Sequence, residues 1–177
     1  LTMLSIAFLN WARAIASFRR VGEVLDEKID LTDENAKHKD RAVCEGSVEF
    51  QNVSFRYYKN SPEWVIENIS FKLEAGKTLG IIGSTGSGKS TLVSMIPRLY
   101  DTDEGTVLVD GINVRDYGLK PLREGIGMVL QNNTLFSGSI TENLKWGDEH
   151  ADEKAVRKAA QNAQAAGFID SFKDGYR

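Results

Sequence analysis

Residues 83–91 read Gly-Ser-Thr-Gly-Ser-Gly-Lys-Ser-Thr, preceded by the apolar run Thr78-Leu79-Gly80-Ile81-Ile82 and followed by Leu92-Val93-Ser94-Met95-Ile96. Strand, glycine-rich loop and helix in that order constrain the fold more than any other feature of the chain. Glycines at 83, 86 and 88 permit positive φ and let backbone N–H groups approach an anion with no Cβ in between. A helix beginning near Lys89 adds unpaired N–H groups and partial positive charge to the same concavity. The stretch is thus an anion nest, and the spacing G-x-x-x-x-G-K-[ST] makes it a nucleoside triphosphate site. Ser84, Thr85, Gly86, Ser87 and Gly88 wrap the phosphates. Lys89 reaches the β- and γ-phosphates, the Ser90 hydroxyl takes a position on Mg²⁺, and Thr91 bonds the α-phosphate. The competing interpretation, a glycine-rich turn with a solvated lysine, does not explain why all three elements stand in the order the motif requires.

The 177 residues suffice for about one domain with an appendage, and the net charge of -3 carries no nucleic-acid footprint. A single cysteine, Cys44, excludes an internal disulfide and suits a reducing compartment. Leu1 to Leu9 is apolar but for Thr2 and Ser5, too short to span a bilayer and without the preceding positive charge of a signal peptide. Because it opens on Leu1, it reads as the later part of a longer helix, with Arg13, Arg19 and Arg20 marking the cytoplasmic side. Ala14, Ile15, Phe18, Val21, Val24 and Leu25 continue it at helical spacing.

Residues 26–46 mix acidic and basic side chains with little to bury and read as a solvated linker. Residues 47–55 alternate with period two and predict a strand; 65–66 and 69–73 predict its partner. The helix from 89 is expected to run to 99 with Leu92, Val93, Ile96 and Leu99 inward and a disturbance at Pro97. Four largely apolar residues before Asp110 imitate a strand that delivers a metal-binding carboxylate, but Asp110-Gly111 is a hairpin turn signal and is read as one. A short helix is expected at 119–124 and a buried strand at 126–130. Ser139-Ile140-Thr141-Glu142 is a capping box, and Asp152 caps a helix expected to reach Ala166 and stop at Gly167.

These residues together resemble part of an ABC transporter half of the exporter type, in which a membrane domain is fused to its ATPase domain. Residues 19–25 look like the cytoplasmic end of that family's last transmembrane helix. Val53-Ser54-Phe55-Arg56-Tyr57 resembles its adenine-stacking segment. Gly127-Met128-Val129-Leu130-Gln131, with Leu135 to Ile140, is similar to its Q-loop, and Glu142-Asn143-Leu144 continues the likeness. Ile96 to Leu99 and Asn143 to Gly147 look closest to heterodimeric bacterial multidrug exporters.

The resemblance implies adenine stacking on Tyr57, with Tyr58 as the alternative, and Mg²⁺ or attacking-water contact by Gln131. Val65 and Ile66 pad the base or serve packing. The family's glycine-rich signature, catalytic glutamate and switch histidine have no counterpart up to Arg177; His38 and His150 match none of them and read as solvated bystanders.

The implied fold is an α/β P-loop core with an antiparallel β subdomain and the start of a helical subdomain. The expected organisation is 1–25 the end of a transmembrane helix, 26–46 a linker and 47–177 an incomplete ABC ATP-binding domain. The implied function is ATP hydrolysis coupled to export, with Lys89 and Gln131 catalytic, ATP and Mg²⁺ bound, and Ser90 and Gln131 on the metal. The implied partners are a second half-transporter, the protein's own membrane domain and the membrane, with the ATPase domain on the cytoplasmic face. The alternative is a nucleotide-binding, noncatalytic half of an asymmetric pair. A GTPase is excluded because neither Asn-Lys-x-Asp nor Asp-x-x-Gly occurs, and a small-molecule kinase leaves the apolar opening without a role.

Overall fold

The computed structural model describes residues 2–132 and 134–177, with the backbone alone for 2–7 and 9. Most of the apolar opening, read as the end of a membrane helix, therefore has its side chains outside the described residues. The chain forms two compact units, Leu1–Gly127 and Met128–Arg177.

Helix α1 (Thr2–Leu25) is continuous, in line with its helical spacing. Its described side chains are exposed all round except at Gly22, and Trp11, Ile15, Phe18 and Leu25 line up along one side. Among the described residues, no helix is long and apolar enough to cross a membrane.

Strands β1 (Val48–Phe55) and β2 (Ile66–Leu73) form the predicted antiparallel pair. Strict alternation along β1 would send Val48 and Phe50 to one face and Val53 and Phe55 to the other. The strand avoids this with a bulge: pairing slips between Phe50 and Val53, and Asn52 takes φ 50°. Gln51 and Asn52 are both exposed as a result, and Phe50, Val53 and Phe55 all enter one core. Asparagine tolerates the left-handed conformation this requires.

The apolar run at 78–82 does not form the expected strand. A strand needs a hydrogen-bonding neighbour, and among the described residues none pairs with it; Ile82 is 99% exposed. The same correction applies to 126–130, which carries no strand and leaves Val129 exposed.

Helix α2 (Lys89–Ser94) is six residues long instead of reaching 99. Turns follow, and Arg98 stands at φ 51°. Leu92 is buried as expected and Ile96 partly so, but Val93 and Leu99 are exposed, while Met95, absent from the expected inward set, is 0% exposed. Ending the helix early rotates the later side chains off the predicted stripe.

Strands β3 (Glu104–Val109) and β4 (Ile112–Asn113) form the hairpin expected at Asp110-Gly111, whose φ values of 50° and 74° are those of a two-residue primed turn. The sheet order is β2-β1-β3-β4. Helix α3 (Leu119–Glu124) spans the predicted residues and buries Leu122. The core of this unit gathers Phe50, Val53, Phe55, Ile66, Leu92, Met95, Val107, Val109 and Tyr117.

Residues 26–46 are largely exposed, as their charge suggested, but several of them are tied to the rest of the first unit. The Asp33 carboxylate accepts from Leu119 N at 2.9 Å. His38 N donates to the Asp116 carbonyl at 2.7 Å and Lys37 pairs with the Asp116 carboxylate at 3.2 Å. Val43 packs against the core. The charged side chains face water while the backbone and a few apolar groups dock, a division that composition does not register.

In the second unit, α4 (Ile140–Leu144) begins with both reciprocal bonds of the capping box, Ser139 Oγ from Glu142 N at 3.1 Å and Glu142 Oε2 from Ser139 N at 2.7 Å. Helix α5 (Glu153–Asn162) is capped by Asp152, as predicted. It stops at Asn162, short of Ala166. The break falls at Gln164, φ 58°, and Gly167 lies inside a further helix, α6 (Ala166–Asp170). Val156, Ala160, Ile169 and Tyr176 form this unit's core.

Candidate functional site

The loop at 83–88 is built by close approach. Gly86 and Gly88 adopt φ 82° and 83°. A Cβ on Gly88 would lie 2.8 Å from the Val65 carbonyl oxygen, and one on Gly83 would lie 2.6 Å from Ser87 Oγ. A side chain at Gly88 would collide with the Val65 backbone and Ile66, so only glycine lets the loop lie this close to the start of β2. Lys89 Nζ donates to the carbonyls of Gly83 at 2.8 Å and Ser84 at 2.6 Å, and lies 3.4 Å from Ser87 Oγ. Its charge is thereby held over the loop. Gly88 caps α2 with no side-chain bond, and Ser90 is exposed at the first turn. Since α2 has only six residues, the helix-end charge invoked from the sequence is small. Loop amides and the Lys89 ammonium are the groups left to meet an anion. This donor set fits a triphosphate and its magnesium ion: a cation, a glycine-rich backbone at positive φ and an exposed hydroxyl.

Tyr57 stands beside the loop. Its hydroxyl lies 2.8 Å from Thr91 Oγ1 on α2. The ring is edge-on to Phe55 at 5.1 Å and to Tyr100 at 5.3 Å, yet remains 49% exposed, so ring surface is open for stacking. Tyr58 is 78% exposed. The structure therefore joins Tyr57, Thr91 and the loop in one unit. Ile66 belongs to the core and Val65 packs against it, so packing accounts for both. Gln131 lies in the second unit, where it is exposed.

Two features were missed in the sequence. Tyr100 had no motif to mark it. Asp110 does more than turn a hairpin: Oδ2 accepts from Cys44 N at 2.7 Å and Glu45 N at 3.0 Å, and Oδ1 from Gly46 N at 2.7 Å and Ser47 N at 3.0 Å. Partial burial acts to raise its pKa, but these four donors outweigh it and hold the carboxyl below its ordinary value. Cys44 itself is exposed, and so are His38 and His150.

The residue pattern of the ABC transporter family matches residues 66–175. The chain belongs to the ABC transporter family. Among ABC proteins it is 46% identical over 165 residues to YgaD of Bacillus subtilis, an ATP-binding/permease protein assigned to multidrug export, covering 93% of this chain and 28% of YgaD. It is 38% identical over 167 residues to the ATP-dependent lipid A-core flippase of Idiomarina loihiensis, covering 94% of this chain and 28% of the flippase. A solved bacterial Atm1-family ABC exporter with ATP bound superimposes with a TM-score of 0.83 at 30% identity, over 98% of this chain and 30% of the exporter. The chain thus spans less than a third of the ABC relatives it matches.

Proposed function

We propose that this chain is the nucleotide-binding portion of the ATP-driven motor of an ABC exporter. The observation that carries the reading is the hydrogen bond between Tyr57 and Thr91, which holds an aromatic ring beside the helix that follows the phosphate loop and supports stacking on a base. In this assignment Tyr57 stacks on adenine, and the amides of Ser84, Thr85, Gly86, Ser87 and Gly88 surround the phosphates. Lys89 neutralises the β- and γ-phosphates, and Thr91 contacts the α-phosphate. Ser90 would supply a ligand to Mg²⁺, which would compensate phosphate charge when bound. Positioning and charge compensation carry most of the rate in phosphoryl transfer.

The parent protein hydrolyses ATP to drive export across the membrane, with this unit on the cytoplasmic face. Its partner is a second half-transporter. A heterodimer is favoured by the likeness of residues 96–99 and 143–147 to heterodimeric multidrug exporters. The exposed apolar stripe of α1 suits the end of a membrane helix that relays closure of the two ATPase domains.

Lys89→Ala in the intact transporter should abolish magnesium-dependent ATP uptake in calorimetry and ATP-coupled efflux while expression is unchanged. Undiminished binding and transport would refute the assignment.

A further inference from the structure

Tyr57 does not hold its position through its own strand alone. The turn after α2 is fastened on several sides. Arg98, 5% exposed, bonds Asp101 through Nε at 2.8 Å and Nη2 at 3.1 Å. Arg123 donates to the carbonyls of Pro97 at 3.2 Å and Arg98 at 3.0 Å. Beyond the turn, Asp103 N donates to the Ser54 carbonyl at 3.0 Å and the Asp103 carboxylate accepts from Arg56 N at 2.9 Å. Leu99 N also donates to the Ser94 carbonyl at 2.9 Å, so residues 97–103 are a brace tied at one end to α2 and α3 and at the other to the strand end that carries Tyr57. Tyr100 sits in the middle of it, its ring 5.3 Å from Tyr57 at 82° and 5.4 Å from Phe55.

We propose that Tyr100 is a positioning residue for nucleobase recognition, fixing the Tyr57 ring from one edge while the Thr91 hydroxyl fixes it from the tip. Phe55, Tyr57 and Tyr100 form a three-ring cluster, each ring against the other two, in which only Tyr57 meets the base. Edge-to-face contacts restrict the tilt of that ring, because the positive edge of one aromatic seeks the negative face of the next. A ring held in place before binding loses less freedom when a base stacks on it. The hydroxyl contact also ties the base end of the site to the phosphate end, since Thr91 belongs to the helix that follows the loop.

This inference rests on the reading of the site as an ATP site, and the test separates the two. Binding of Mg-ATP and of magnesium tripolyphosphate, which has no base, is measured by calorimetry on the intact protein and its variants. Tyr100→Leu removes the ring edge, and Tyr100→Phe restores it. Tyr57→Phe removes only the hydroxyl contact and leaves Thr91 free for the phosphate. Tyr100→Leu and Tyr57→Phe should each weaken Mg-ATP about two- to tenfold, from the size of one aromatic or hydrogen-bond contact, and leave tripolyphosphate unchanged. Tyr100→Phe should bind both ligands as the wild type does.

The proposal is overturned if Tyr100→Leu retains wild-type ATP affinity, or if both ligands weaken together, which would make Tyr100 a support for the loop fold. If Tyr100→Leu does not fold, Tyr100→Met, which fills similar space without an aromatic ring, decides: loss of ATP affinity alone sustains the proposal, and no loss or a joint loss of both ligands overturns it. A wild type that takes up no Mg-ATP would remove the ATP-site reading itself, and this inference with it.

Discussion

Replacing Asp110 by Asn separates its two roles. The hairpin should survive, because Asn-Gly suits a primed turn and Asn accepts the φ of 50° observed at this position. The attachment of residues 44–47 should not. Both carboxylate oxygens are occupied, each by two backbone N–H donors at 2.7–3.0 Å, and the amide substitution turns one acceptor into a donor facing two donors. Each bond contributes about 1 kcal/mol net, and more for a charged acceptor, but water reaches this partly exposed group and lowers the gain. Losing two bonds therefore costs about 1–3 kcal/mol locally, equivalent to a roughly five- to 150-fold greater opening of these amides.

Hydrogen exchange followed by mass spectrometry should show that acceleration for residues 44–47, with the amides of β3 and β4 unchanged. Equal exchange in the two proteins would refute the reasoning. Acid supplies an independent arm. The folded carboxyl titrates below its unfolded value, so its stabilisation is complete above the unfolded value and is lost as pH falls through the folded one. The 44–47 amides should loosen only below the ordinary carboxylate range, and Asp110→Asn should show no such step.

Two further substitutions probe the loop and the core. Gly88→Ala places a Cβ at φ 83° and 2.8 Å from the Val65 carbonyl, costing about 1–2 kcal/mol for the backbone conformation alone. Mg-ATP binding should fall sharply with only a modest loss of thermal stability, and full binding would show that the loop can shift away from Val65 without losing its shape. Met95→Ala empties a site that is 0% exposed and should destabilise the first unit by about 2–5 kcal/mol in urea unfolding. A loss below about 1 kcal/mol would mean that the surrounding side chains collapse into the space.

What the sequence alone determined was local. The phosphate loop, the Asp110-Gly111 hairpin, the Ser139 capping box, the Asp152 cap and α3 each depend on a few neighbouring residues whose backbone preferences and short-range hydrogen bonds leave little choice. The nearness of Tyr57 to that loop was legible only through resemblance.

What tertiary structure decided depends on partners distant in the chain. Residues 78–82 have the apolar character of a strand, but character does not supply the hydrogen-bonding neighbour that makes one. The phase of β1 was set by a bulge at Asn52, which a period-two count cannot detect, and without it Phe55 would leave the core. The charged linker docks because Asp33, His38 and the 44–47 amides meet acceptors and donors at 110–119, more than 60 residues away. Tyr100 acquires its place against Tyr57 in the same way, through Arg98, Asp101 and Asp103 in a turn that the helical period after Lys89 had assigned to the helix or left without a role. Short-range preferences act before the chain is folded, and these long-range pairings exist only once it is.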